Sequence, residues 1–201
     1  MRKALSFKRF QILVVICLVL AMGTNAAADT SYGGDGNTLN LSSLQVGDII
    51  MLHGVIFSVP LPSGYIWEHC AIYIGNGEIV EAWSPAVRIL PVSIINTASD
   101  AAIYRVKTTA AIKQAAVNFA IAQVGKSYDF QWLIPPGGKE IDGSTWYCSE
   151  LIWAAYKKQG VELDKYPDYN SKYYNNVAPD ELTMTTNVIA VAYPRKQTSR
   201  R

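Results

Sequence analysis

The sequence predicts an α+β fold in which a mainly antiparallel sheet packs with segregated helices. A β-hairpin is indicated by the turn Gly75-Asn76-Gly77-Glu78, which separates two apolar runs within residues 68–82. Residues 110–124 are rich in alanine and carry apolar side chains at helical spacing, and a second helix is predicted over residues 148–160. Further strands are predicted at residues 49–52, 87–92, 101–106 and 188–192.

Residues 1–28 have the composition of a secretory signal peptide. Basic residues precede a short apolar run, and small residues follow it, which is typical of a cleaved signal rather than a membrane span. Cleavage is expected at Ala26 or Ala28, and an uncleaved membrane anchor is the alternative. Cys17 lies inside the apolar run, which argues against a lipoprotein anchor. We therefore expect an exported protein, either periplasmic or secreted.

The remainder of the chain is long enough for one domain. Residues 29–40 are rich in Gly, Asp and Asn and are predicted to be a flexible leader, residues 41–194 a single domain, and residues 195–201 a basic disordered tail. Loss of the signal peptide removes four basic and no acidic residues, which changes the formal net charge from +2 to −2. This charge gives no support for nucleic-acid binding, while the basic tail leaves peripheral contact with a membrane open.

Two turn geometries fit the hairpin, and they place Glu81 differently. A two-residue turn over Asn76 and Gly77 pairs residues whose numbers sum to 153 and points Glu81 away from His69. A three-residue loop with Gly77 in the left-handed region forms a bulge and changes the sum to 152. Glu81 then lies diagonally across from His69, within side-chain reach. A His–Glu pair therefore requires the bulged register.

Cys148 and His69 are the candidate nucleophile and base of a cysteine hydrolase. A thiol becomes a good nucleophile when an adjacent imidazole takes its proton, and a carboxylate such as Glu81 on the other ring nitrogen fixes the tautomer. Cys148 begins a predicted helix, where unpaired amides lower the pKa of a thiol. Those amides can also hold an oxyanion, and the backbone N–H of Cys148 is the leading candidate donor.

A structural interpretation of the same residues is also open. A lone histidine in a strand is often structural, and the two cysteines that remain after the signal peptide suggest one disulfide in an oxidising compartment. Cys70 follows His69 in a strand, so its side chain is predicted to point to the opposite face. If His69 faces Cys148, Cys70 faces away, and a Cys70–Cys148 disulfide has an incompatible geometry. No metal-ligand spacing is recognisable, and no cofactor is expected.

The motifs resemble the NlpC-type, papain-like superfamily of bacterial cell-wall hydrolases. Gly125-Lys126-Ser127-Tyr128 and Cys148-Ser149-Glu150-Leu151 match one half of its pattern, and Gly47-Asp48 with residues 69–75 and Glu81-Ala82 match the other. The histidine half comes first here, which is similar to the circularly permuted YiiX/YebB-like branch. That branch also includes relatives of lecithin retinol acyltransferase. The resemblance implies a permuted papain-like fold, with an antiparallel sheet or small barrel against helices and the catalytic cysteine at a helix N-terminus.

Carried over position by position, the resemblance implies Cys148 as the nucleophile, His69 as the base and Glu81 in the third polar position. Tyr128 occupies the position of an active-site tyrosine. Two departures are that Tyr147 stands where an Asp is usual and that Glu81 replaces a common His. These departures fit the permuted branch and weaken the case for a peptidoglycan substrate. The candidate substrate-binding residues are Tyr128, Tyr147 and Trp83.

The predicted activity is that of an exported cysteine hydrolase that cleaves or transfers an amide or ester acyl group through a thioester on Cys148. The substrate is expected to be a cell-envelope peptide, a lipopeptide or a lipid. Two apolar loops, at residues 57–66 and 132–136, are candidates to flank the cleft and favour a substrate with an apolar part. The alternative is a non-catalytic binding module on the same fold, with Cys70 and Cys148 oxidised.

Overall fold

The computed structural model describes residues 31–55, 66–134, 137–168 and 174–193. The predicted signal peptide, the predicted basic tail and most of the apolar loop at 57–66 lie outside these residues. Over the described ranges, none of the helices combines the length and apolar character needed to cross a bilayer.

Within the described residues, six antiparallel strands form one open sheet. Their order in space is β4-β3-β2-β1-β5-β6, so the hairpin strands β2 and β3 lie next to each other near its middle. The predicted antiparallel sheet is confirmed, and its small-barrel alternative is wrong because the two edge strands do not pair. The strands are β1 (Ile49–His53), β2 (His69–Gly75), β3 (Glu78–Trp83), β4 (Ala86–Pro91), β5 (Asp100–Val106) and β6 (Val188–Ala192).

In the described part of the chain, three α-helices accompany the sheet, namely α1 (Ala110–Ile121), α2 (Cys148–Lys157) and α3 (Pro179–Met184). The first two were predicted from sequence, and both end about one turn earlier than expected. Helix α2 is buried from its first residue through Tyr156 because it lies against the middle of the sheet. At its start, the Glu150 carboxylate accepts the backbone N–H of Tyr147 at 3.3 Å. At its other end the Tyr156 hydroxyl donates to the Gly47 carbonyl, which holds the helix against the start of β1.

Both faces of the sheet are buried. Alternate strand residues, among them Cys70, Ile72 and Val80, point to the face on which α1 and α2 pack. The residues between them, such as Ala71 and Ile79, point to the opposite face. That second face is covered by a 3₁₀ helix (Val92–Thr97) and by the N-terminal segment. The side chains of each strand therefore divide between two separate apolar clusters.

The N-terminal segment at 31–40 is part of this second cluster. Tyr32 is completely buried and Leu39 is 4% exposed. The backbone N–H of Gly34 donates to the Thr97 carbonyl at 3.0 Å. The prediction of a flexible leader is therefore wrong for these residues. Its Gly, Asp and Asn content allows turns, but two large apolar side chains bury enough surface to hold the segment on the sheet.

The two residues of the matched motif Gly47-Asp48 have a structural role. The buried Asp48 carboxylate accepts hydrogen bonds from Arg105 on β5, at 2.8 Å from Nε and 2.6 Å from Nη2. It also accepts the backbone N–H of Gln45 at 2.8 Å. Gly47 has φ 84°, a conformation that suits glycine. This motif therefore anchors the entry to β1.

Glu181→Gln in α3 is expected to change how stability depends on pH. Glu181 is buried, and burial together with the neighbouring Asp164 raises its pKa to about 8. The folded protein therefore keeps a proton there that the unfolded chain releases near pH 4, and stability falls as pH rises between those values. Glutamine removes this titration, so the stability of Glu181→Gln relative to wild type should rise by about 2–4 kcal/mol between pH 5 and pH 9.

Urea unfolding at both pH values measures this difference, and the exposed Glu78→Gln serves as the control. The glutamine carbonyl can still accept the Ala178 N–H that Glu181 accepts at 2.7 Å, so the helix start keeps its hydrogen bond. A Glu181→Gln difference that is equal at pH 5 and pH 9 would contradict the assignment of a buried, protonated carboxyl.

Candidate active site

Strands β2 and β3 pair in the register that places Glu81 beside His69. The paired numbers sum to 152 inside the strands, as the sequence argument required, and to 153 at the turn. The pairs are Ile72 with Val80, Tyr73 with Ile79, and Gly75 with Glu78. The predicted register is therefore confirmed.

The bulge that creates this register lies elsewhere than expected. It falls on β2 between Tyr73 and Gly75 rather than at Gly77. The turn itself is the two-residue type, because Asn76 and Gly77 both have positive φ, at 54° and 77°. A two-residue turn is thus compatible with strand pairs whose numbers sum to 152, since the extra residue is Ile74, inside β2 and ahead of the turn.

His69 and Glu81 form a buried hydrogen-bonded pair. His69 Nε2 lies 2.6 Å from Glu81 Oε2, and the two side chains are 4% and 0% exposed. Burial opposes the charged imidazole, but the charge of Glu81 and the hydrogen bonds of the ring raise the pKa of His69 to about 9. Burial also opposes the carboxylate, but His69 and Arg88 hold the pKa of Glu81 below its ordinary value. The pair is therefore an imidazolium–carboxylate ion pair at neutral pH.

The thiol of Cys148 interacts with both residues at the start of β2. It interacts with the side chain and backbone N–H of Cys70 and with the ring of His69. The Cys70 side chain, the His69 ring and its positive charge hold the pKa of Cys148 well below its ordinary value, against the effect of burial. Burial and the neighbouring Cys148 raise the pKa of Cys70 instead. Of the two cysteines, Cys148 is therefore the one that ionises to a thiolate, and Cys70 stays protonated.

The prediction that Cys70 faces away from Cys148 is wrong. Cys70 points toward the helices and belongs to the same buried cluster as Cys148, and both are free thiols. His69 obeys the strand alternation and points to the other face, yet it still reaches Cys148. It does so because it is the first residue of β2, so its ring lies at the end of the sheet, where α2 begins. The geometric argument against a Cys70–Cys148 disulfide therefore fails.

The Glu81 carboxylate has two more partners that the sequence analysis missed. The Tyr32 hydroxyl donates to Oε2 at 2.5 Å, and Arg88 Nε donates to Oε1 at 2.9 Å. Arg88 is the residue directly opposite Glu81 in the β3–β4 pairing, so extending the strand register would have found it. No such signal pointed to Tyr32, because it belongs to the segment that was predicted to be flexible.

The three aromatic candidates have different surroundings. Tyr128 is half-buried and is close enough to Cys148 that the thiolate contributes to its raised pKa, after burial itself. Tyr147 is 3% exposed, and its hydroxyl accepts the Val177 N–H at 3.0 Å. Trp83 packs edge-on against the ring of His69, with centroids 4.9 Å apart. Tyr147 and Trp83 thus support the site from the core, and only Tyr128 keeps an exposed surface beside it.

An iodoacetamide-type reagent is expected to alkylate Cys148 at least about tenfold faster than Cys70 near neutral pH. The difference arises because the lowered pKa of Cys148 leaves it a thiolate, whereas Cys70 stays protonated. His69→Ala removes the imidazolium and should slow the labelling of Cys148. Peptide-resolved mass spectrometry between pH 5 and pH 9 measures both rates. Equal rates for the two cysteines would contradict an activated nucleophile.

An open antiparallel sheet against helices, with a thiolate at a helix N-terminus beside a His–Glu pair, defines a papain-like cysteine hydrolase whose histidine half comes first. A family model described as the permuted papain-like amidase enzyme, YaeF/YiiX, C92 family, matches residues 43–193. The chain belongs to this family and is a cysteine hydrolase.

Comparison with solved structures finds the same fold. The crystal structure of the metalloprotein yiiX from Escherichia coli O157:H7 matches with a TM-score of 0.58 and 18% sequence identity, and covers 74% of this chain and 97% of that chain. Likeness at this level of identity concerns the fold alone. No curated protein matches the chain. Among the residues described in this chain, no group of three or more His, Cys, Asp or Glu side chains is arranged to hold a metal ion.

Proposed function

We propose that the protein cleaves an amide or ester of the cell envelope through a thioester on Cys148. The observation that supports this most directly is the buried pairing of His69 with Glu81, 2.6 Å apart, next to a cysteine whose pKa is lowered. A core histidine with a merely structural role needs neither a charged partner nor a reactive thiol beside it. The description of the family as an amidase favours an amide over an ester.

In the first half of the proposed reaction, the Cys148 thiolate attacks the carbonyl carbon of the substrate. The backbone N–H of Cys148 lies in the first turn of α2, where amides lack acceptors within the helix, and it donates to the oxyanion that forms. The His69 imidazolium then gives its proton to the departing amine or alcohol, and the C–N or C–O bond breaks. The acyl group remains on sulfur as a thioester.

In the second half, water attacks the thioester carbonyl. His69, now neutral, takes a proton from the water as the new C–O bond forms, and the thiolate of Cys148 leaves. The acid is released, and the imidazolium–thiolate pair is restored. An amine or alcohol in place of the water would give acyl transfer by the same steps. Glu81 keeps Nε2 of His69 engaged throughout, so Nδ1 is the nitrogen that exchanges the proton.

The envelope is proposed as the location of the substrate because residues 1–28 have the composition of a signal peptide. The substrate-binding surface is proposed to include Tyr128, which is half-buried beside Cys148. The partly exposed Trp132 interacts with the Tyr128 side chain and is proposed to extend the same surface. Aromatic surfaces of this kind suit an acyl chain or another apolar group, which keeps lipopeptides and lipids among the candidates together with peptides.

Parallel incubations with purified muropeptides, a diacylated lipopeptide and phospholipid vesicles test the proposal, with Cys148→Ala as the control. Release of a new carboxyl group from one of these by the wild type alone supports the hydrolase and identifies the substrate class. A count of free thiols in unreduced, unfolded protein distinguishes the alternative. A value near zero per chain, together with no activity, would favour a non-catalytic binding module with Cys70 and Cys148 oxidised.

A further inference from the structure

The Glu81 carboxylate is fully buried and has more partners than a His–Glu pair requires. Its Oε2 accepts both His69 and the Tyr32 hydroxyl, while Oε1 accepts Arg88. A single negative charge is thus shared among an imidazolium, a guanidinium and a neutral hydroxyl. The three donors come from different parts of the chain, namely β2, β4 and the N-terminal segment.

We infer that Tyr32 and Arg88 are positioning residues of the active site, which hold the Glu81 carboxylate in place and limit how much of its charge acts on His69. This inference rests on the proposed function, because it concerns the same catalytic group. It also assigns a role to the N-terminal segment, because the hydroxyl of Tyr32 in this segment donates a hydrogen bond to Glu81.

The geometry of the carboxylate supports the positioning role. A carboxylate that accepted only from His69 could rotate about its last side-chain bond. Arg88, opposite Glu81 on β4, fixes Oε1, and Tyr32 approaches Oε2 from the second face of the sheet. Burial and the charge of Glu81 raise the pKa of Tyr32, so its hydroxyl donates a proton without giving it up. Both donors therefore favour the orientation in which Oε2 faces His69.

The sharing of charge has a consequence for the reaction. In the proposed mechanism the imidazolium must release its proton to the leaving group, and an imidazolium that is stabilised too strongly releases it poorly. Arg88 opposes the positive charge on His69 by neutralising part of Glu81, and Tyr32 weakens the attraction of Oε2 by hydrogen bonding. Without them, His69 would hold its proton more tightly. Tyr32 and Arg88 thus keep the His69 imidazolium able to release its proton to the leaving group.

The titration of His69 must be considered with every ionisable group around it. From other elements these are Glu81 on β3, Arg88 on β4, Cys148 on α2 and Tyr32 in the N-terminal segment, and from its own strand Cys70. Cys148 titrates together with His69 and would obscure the comparison. A Cys148→Ala background removes that coupling while leaving the contacts of Glu81 intact.

The test is an NMR titration of the imidazole signals in this background. The chain has only two histidines, so His69 is assigned by comparison with a His53→Gln variant. Arg88→Gln is expected to raise the pKa of His69 by about one unit, because a positive charge close to the imidazolium is lost. Tyr32→Phe should raise it by a smaller amount. Arg88→Lys keeps the charge and should keep the pKa near that of the parent.

Tyr156→Phe is the matched control, because it also removes a buried hydroxyl donor but leaves Glu81 untouched. Its titration should coincide with that of the parent. An unchanged or lowered pKa in folded Arg88→Gln would overturn the inference, as would the same shift in Arg88→Lys as in Arg88→Gln. This readout needs no substrate, so it separates failure of the inference from failure of the proposed reaction, which the hydrolysis assays test.

Discussion

Cys148→Ser is expected to reduce kcat/KM by at least about 1000-fold, although only one atom changes. A serine hydroxyl ionises far less readily than a thiol, so it depends on a neutral base to take its proton as it attacks. His69 cannot be that base, because the charge of Glu81 raises its pKa to about 9 and it is protonated at neutral pH. The site is therefore arranged for a nucleophile that is already ionised, which cysteine is and serine is not.

Initial rates on the substrate identified by the parallel incubations measure this loss. Cys70→Ser is the matched control, since its hydroxyl can still donate to the Cys148 thiolate, and it should cost less than about tenfold. A Cys148→Ser enzyme that retained more than a tenth of the wild-type activity would contradict the assignment of Cys148 as the nucleophile. Intact mass spectrometry of the wild type during turnover should in addition detect the acyl group on the peptide that contains Cys148.

Glu81→Gln is expected to lower kcat/KM by about 100- to 10,000-fold, for two reasons. Loss of the negative charge lowers the pKa of His69, so the imidazolium that stabilises the Cys148 thiolate is depleted at neutral pH. In addition, both oxygens of the carboxylate accept hydrogen bonds, from His69, Tyr32 and Arg88. Glutamine has one oxygen and one NH₂ group, so its NH₂ group must face at least one of these hydrogen-bond donors. The expected loss of kcat/KM therefore comes both from the missing negative charge and from the disturbed hydrogen bonds.

The direction in which the pKa of His69 changes distinguishes Glu81→Gln from Arg88→Gln. In Glu81→Gln the pKa of His69 falls, whereas in Arg88→Gln it is expected to rise. Glu68→Gln is a matched control, because Glu68 lies beside the other histidine, with Oε1 3.5 Å from His53 Nδ1, and does not contact Glu81 or Cys148 in the described contacts. Activity of Glu81→Gln within about threefold of the wild type would contradict a catalytic role for the carboxylate.

Local patterns in the sequence predicted most of the fold. All four further strands lie within a residue or so of the expected positions, and the two predicted helices begin at the expected residues, Ala110 and Cys148. The hairpin register was predicted by combining two conditions. Glu81 must lie beside His69 to act on its imidazole, and side chains alternate between the two faces of a strand. The position of the bulge did not follow, because a register constrains only the number of extra residues and not the side on which they fall.

Local sequence patterns could not predict the contacts that Cys70 and Tyr32 make in the site. Cys70 was expected to be remote from Cys148, because strand alternation was applied without knowing that α2 begins at the end of β2, where both faces of the strand are within reach. Tyr32 was assigned to a flexible leader, because glycine and polar residues surround it in the sequence. Its burial depends on an apolar face of the sheet to which five strands contribute buried residues.

The sequence by itself identified the candidate catalytic groups of this protein, namely a cysteine at a helix start, a histidine in a hairpin and a carboxylate twelve residues later. Residue types and short-range spacing encode these features, and each can be recognised without a partner. Tertiary structure alone decided that the Tyr32 hydroxyl meets the Glu81 carboxylate and that the two thiols meet. Those contacts join residues 49 and 78 positions apart in the chain, and only the packing of the sheet brings them together.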